Sequence, residues 1–209
     1  MGSRGSGSRT TRYKGPGLKA GDIKNERDMI SERASYGGTA EEVLGVANDM
    51  HSKYGESGLI GAFQVADISK SVIGYYDGTN IGMNSRFMDS PTITAAYDEC
   101  VQAGFHPGRG NKTATAAVAA HEYGHALTDA VGRKLGGMDI DQAATVIVKE
   151  AMKKTSHRGV VQMAAKISRY ATESNAEAIA EAVSDVYCNG NKARAESLAI
   201  VSVVDKYLR

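Results

Sequence analysis

Residues 113–135, TATAAVAAHEYGHALTDAVGRKL, decide how this chain is read. Ala117, Ala120, Gly124, Leu127 and Val131 recur at helical spacing and form one stripe, so the segment reads as a single long helix. Arg133 and Lys134 in its last turn, with Gly136 and Gly137 beyond, supply the stop signal. Within it, His121 and His125 stand four residues apart, which brings two imidazoles onto one face with Cβ atoms about 5–6 Å apart. Two nitrogens so placed can share one zinc ion at about 2.0–2.1 Å each. Glu122 points to the flank of the pair, where it can take a proton from a metal-activated water without occupying a ligand position. By average composition an H-E-x-x-H run turns up by chance on the order of once in a hundred chains of this size, which weighs against accident.

Two histidines need a third ligand from elsewhere, and residues 170–187, YATESNAEAIAEAVSDVY, offer candidates. Glu177, Glu181 and Asp185 repeat every four residues on one face of a helix otherwise rich in Ala, Ile and Val. A solvated acidic edge is one reading. Another applies to Glu177 alone, since Ser174-Asn175-Ala176-Glu177 is a capping-box pattern. Taken with the histidine pair, one carboxylate as ligand and a second hydrogen-bonded to a ligand histidine explains the repeat better.

These two stretches together resemble the glutamate-zincin metallopeptidases, in particular the compact peptidase-like domains of phage-encoded proteins and the catalytic domain of the lethal-factor type. The resemblance spans about residues 39–209 and implies a compact zincin-like domain. It implies His121, His125 and Glu177 as zinc ligands, Glu122 as general base, Glu181 as the carboxylate behind a ligand histidine, and Tyr170 as a transition-state donor. "EAVSD" at residues 181–185 also resembles the thermolysin pattern, in which Glu181 would be the ligand and Asp185 would support it. The place of Tyr170 relative to Glu177 favours the first assignment. "YYDGTNIGMN" resembles the edge strand that such enzymes pair with extended substrate, so a peptide or protein substrate is expected along residues 80–84.

Working outward, Thr39-Ala40-Glu41-Glu42 reads as a capping box, and Val43, Val46, Ala47, Met50 and Tyr54 continue a helix that stops at Gly55. From Leu59 to Asn84 short β-like runs follow, the last two joined by an Asp77-Gly78-Thr79 hairpin, and a small antiparallel sheet is expected. Residues 90–104 read as a further helix and "GFHPGRGNK", residues 104–112, as a loop. Beyond the histidine helix, residues 139–153, 158–168, 174–188 and 193–208 all read as helices. A small sheet followed by a helical half makes the fold class α+β. His51, His106 and His157 lack paired spacing and read as surface or core histidines.

The 209 residues suffice for one domain, placed at 23–209, behind a Gly/Ser/Arg-rich arm at 1–22 that reads as a flexible tail. Lys+Arg 25 against Asp+Glu 24 leaves no global field for an anionic partner, so no nucleic-acid partner is expected outside the basic arm. No run of about 18 apolar residues suggests a membrane span. Cys100 and Cys188, without close spacing or a signal segment, fit a reducing compartment: the cytoplasm of a host cell, or a virion. The expected function is zinc-dependent hydrolysis of peptide bonds. The alternative is a non-catalytic zinc domain with a structural or interaction role in phage morphogenesis.

Overall fold

The computed structural model describes residues 3–4, 38–58, 60–61, 63–66, 68 and 72–209. Within them lie seven α-helices: α1 (Gly38–Tyr54), α2 (Ser90–Gln102), α3 (Ala114–Lys134), α4 (Ile140–Met152), α5 (Val160–Ile167), α6 (Asn175–Asn189) and α7 (Ala195–Leu208). Strands β1 (Ser3–Arg4), β2 (Phe63–Ala66), β3 (Gly74–Tyr76) and β4 (Ile81–Asn84) form one small sheet, so the class is α+β. Apart from Ser3–Arg4, the arm at 1–22 lies outside the described residues. No helix among the described residues is long and apolar enough to cross a membrane.

α2, α3, α4 and α6 start where short polar side chains accept the free N–H groups of a first turn. Thr113 Oγ1 accepts from Ala116 N at 3.2 Å, Asp89 Oδ1 from Thr92 N at 2.9 Å, and Ser174 Oγ from Glu177 N at 3.1 Å. Asp139 and Gln142 form a full capping box at α4. Thr39 does not cap as expected. It lies inside α1, where its hydroxyl donates to the carbonyl of Met88 at 3.0 Å and fastens that helix to the segment after the sheet.

The expectation of an antiparallel sheet is corrected to a mixed one, in the order β1-β3-β4-β2. β3 and β4 form the expected antiparallel hairpin, its turn closed by Asp77 Oδ1 accepting from Thr79 N and Asn80 N. β2 and β1 both pair parallel, with β4 and β3 respectively. β4 is consequently an interior strand with a neighbour on each side. Residues 81–84 are not an edge open to an extended peptide, because β2 already takes that ladder's hydrogen bonds.

α3 is the axis of the molecule. It is buried from Ala114 to Thr128 and touches β3, α1, α2, α4, α6 and α7. Its most extensive partner is α6, and the contact is close because small residues face each other. A Cβ on Gly124 would stand 2.5 Å from Cα of Ala180. One core runs from Ala40 to Leu208, with Leu127, Ile147, Ile179 and Ile200 fully buried.

Candidate metal centre

The turn of α3 that carries His121, Glu122 and His125 faces the turn of α6 that carries Glu177 and Glu181. Gly124 and Ala180 sit at the meeting point, so backbone proximity brings the two sets of side chains together. All five are buried, Glu122 completely and Glu177 at 2 % exposure. The imidazole rings of His121 and His125 lie 5.1 Å apart at 80°. Glu177 Oε2 lies 3.2 Å from His121 Nε2 and 3.5 Å from His125 Nε2, without hydrogen-bond alignment to either. Ligand atoms of His121, Glu122 and His125 lie within 4.8 Å of one another, and this buried group could hold a metal ion.

Glu181 plays a different part. Its Oε1 accepts from His121 Nδ1 at 2.8 Å, leaving Nε2 of that ring turned toward His125 and Glu177. Burial alone would raise the Glu181 pKa, but the imidazoles of His106 and His121 outweigh it and hold the carboxyl at about 2. Glu177 is likewise held well below the usual range against its burial, by His121 and His125. Burial would lower His121, yet Glu177 and Glu181 raise it to about 10. For Glu122 burial dominates and raises the carboxyl above its ordinary range, with His121 and His125 pulling the other way.

Tyr170 lies in a short turn after α5, its ring stacked on His121 at 5.8 Å and 22°. Burial, followed by the fields of Glu177, Glu122 and Glu181, raises the phenol well above its ordinary pKa and keeps its proton in place. Asp185 is elsewhere. Its Oδ2 accepts from Arg194 N at 3.0 Å and Ser197 Oγ at 2.7 Å, so it ties down the start of α7 rather than supporting Glu181. Ser174 caps Glu177 through the backbone only, because the Glu177 side chain turns to the histidines instead of completing the box.

Three participants were not legible as such in the chain. His106 donates Nδ1 to Glu181 Oε1 at 2.9 Å, and Ser168 Oγ donates to Glu181 Oε2 at 2.8 Å. His106 is thus part of the cluster and not an isolated surface or core histidine, whereas His51 bonds locally to Gly55 O and His157 pairs with Glu196. Gly74 of β3 is the third: a Cβ there would stand 3.0 Å from Glu122 Oε1 and 2.8 Å from Val118 Cγ1. Only a residue without a side chain lets the strand lie directly over Glu122. None of the three has helical spacing to the motif that would have pointed to it.

Comparison with known proteins returned no matching family model, no matching curated protein and no matching solved structure.

Proposed function

We propose that this chain is a zinc-dependent metallopeptidase with a zincin-like catalytic centre. One observation carries the reading. Of the seven buried side-chain atoms without a hydrogen-bond partner among the described residues, five converge here: His121 Nε2, His125 Nε2, Glu177 Oε2 and both oxygens of Glu122. Each unpaired buried polar atom costs about 1–3 kcal/mol, so five in one place fit a site shaped for a cation and a substrate. Two imidazole nitrogens and one carboxylate oxygen suit zinc with a coordination position left for substrate.

In this reading His121, His125 and Glu177 hold the metal. Zinc, when bound, supplies a Lewis acid that polarises a carbonyl and lowers the pKa of water toward about 7. Glu122, flanking the ligands with a raised pKa, accepts the proton of the attacking water and passes it to the leaving amide nitrogen. Tyr170 keeps its proton and donates to the oxygen of the scissile carbonyl as charge develops there. Glu181 orients His121 by holding its Nδ1–H.

The test is metal content and peptide hydrolysis on the same preparations. About one zinc per chain is expected, lost in Glu177→Ala, while Glu122→Gln keeps zinc and loses turnover. Turnover retained in Glu122→Gln rejects the base, and zinc retained in Glu177→Ala but lost in Glu181→Ala moves the third ligand one turn along. The near-complete burial of the ligand set favours a second reading, a zinc domain with a structural or interaction role. Zinc present with no hydrolysis of any peptide library would support it.

A further inference from the structure

Glu181 Oε1 is shared. It accepts from His121 Nδ1 at 2.8 Å and from His106 Nδ1 at 2.9 Å, while Ser168 Oγ holds Oε2 at 2.8 Å. A carboxylate with a single donor can rotate about its last torsion, but one gripped at both oxygens by three donors has one orientation left. Three donors also offset the cost of burying that charge, which a single imidazole would leave underpaired.

His106 is itself held firmly. Its ring stacks on Tyr97 at 5.4 Å and 3°, with Phe105 and Tyr170 against its edges at 5.3 and 5.5 Å. Tyr97 donates its hydroxyl to Pro107 O at 3.1 Å. The backbone on the other side of the ring is clamped to the turn that carries Tyr170, by Arg169 N to Gly104 O at 3.0 Å and Tyr170 N to Phe105 O at 3.2 Å. The loop between α2 and α3 therefore reaches the metal centre from behind, at Glu181, and at its flank, beneath Tyr170.

We infer that His106 is a positioning residue of the metal centre, which fixes Glu181 and through it the ring of His121 and its affinity for a divalent cation. The inference rests on the reading of His121 as a metal ligand. Partners of this kind alter metal affinity by about 10–100-fold when removed. The essential feature is the Nδ1–H donor. His106→Asn, whose amide nitrogen can stand near the place of Nδ1, retains it, and His106→Leu fills the space between Tyr97 and Tyr170 without it.

The experiment uses the full chain with zinc and cobalt(II) as probes. Zinc affinity is measured by chelator competition, and the visible absorption of the cobalt-loaded protein reports the ligand field at His121. The expected result is a loss of about 10–100-fold in affinity and a shifted cobalt spectrum for His106→Leu, both largely restored in His106→Asn. Wild-type affinity and spectrum in His106→Leu overturn the inference, as does an equal loss in both variants. If His106→Leu and His106→Ala both fail to fold, the histidine serves the fold and not the metal, and the inference falls. A wild-type chain that binds neither metal overturns the metal reading first, and this inference with it.

Discussion

A Cβ on Gly124 would lie 2.5 Å from Cα of Ala180, at the point where the histidine helix α3 crosses the glutamate helix α6. Gly124 lies between His121 and His125, and Ala180 between Glu177 and Glu181, so the distance between these two backbones sets the size of the His–Glu cluster. Replacing Gly124 by Ala gains about 1 kcal/mol of helix propensity. Overpacking against a backbone atom costs about 1–3 kcal/mol, so the packing loss prevails. Gly124→Ala is expected to lower the melting temperature and the zinc content together. Gly45→Ala, with no atom within 4 Å of the new Cβ, is the control and should stabilise slightly. Normal zinc content in Gly124→Ala would show that the crossing does not govern the site.

In the proposed mechanism Tyr170 supplies a hydroxyl, and its ring stacks on His121 at 5.8 Å. Tyr170→Phe keeps the ring. Removing one donor to a developing oxyanion lowers turnover by about 10²–10³-fold, and zinc affinity should change little. A drop in zinc affinity as large as the drop in turnover would assign Tyr170 to holding the site instead.

Asp185 separates the two ligand patterns. Its carboxylate holds Arg194 N, Ser197 Oγ and Asn189 Nδ2, none of which belongs to the cluster of His121, His125 and Glu177. Asp185→Ala takes this acceptor from the buried Ser197 Oγ and from Arg194 N, while Asn189 Nδ2 keeps Gly108 O at 2.7 Å, and should cost about 1–3 kcal/mol in chemical denaturation, with zinc content unchanged. Loss of zinc at unchanged stability would favour Glu181 as ligand with Asp185 behind it.

In the metal-free protein three groups of this cluster make stability depend on pH. Glu122, raised by burial, contributes fully below its unfolded value of about 4.3 and loses that contribution as pH rises. Glu181 is held at about 2, below its unfolded value of about 4.3, so its contribution is present above about 4.3 and lost as pH falls through about 2. His121 is raised to about 10, above its unfolded value of about 6.5, so its contribution is complete below about 6.5 and lost as pH rises through about 10. If His121 binds zinc as proposed, binding at pH 7.5 is expected to displace its proton, and calorimetric titration in buffers of different ionisation enthalpy should report the release. A binding heat independent of the buffer contradicts this.

Periodicity and end signals made the helices legible. Thr113 and Ser174 start α3 and α6, and the four-residue spacing of His121 and His125 is enough to put both on one face, because helix geometry depends only on neighbours in the chain. The sheet was legible in part. The Asp77 turn marks the β3–β4 hairpin, but nothing local to Phe63–Ala66 says that this strand adds in parallel beside β4 and makes 81–84 an interior strand.

The remaining choices belong to tertiary packing. Glu177 and Glu181 sit on the same face by spacing, and only the crossing of α3 and α6 aims Glu177 at the two Nε2 atoms and Glu181 at Nδ1 of His121. His106, in a loop 75 residues before Glu181, meets it through space. Gly74 meets Glu122 in the same way, with β3 laid across α3. Helical period is a property of a short stretch of chain, whereas these contacts depend on how two distant backbones approach, and small residues such as Gly124 permit that approach without announcing its partner.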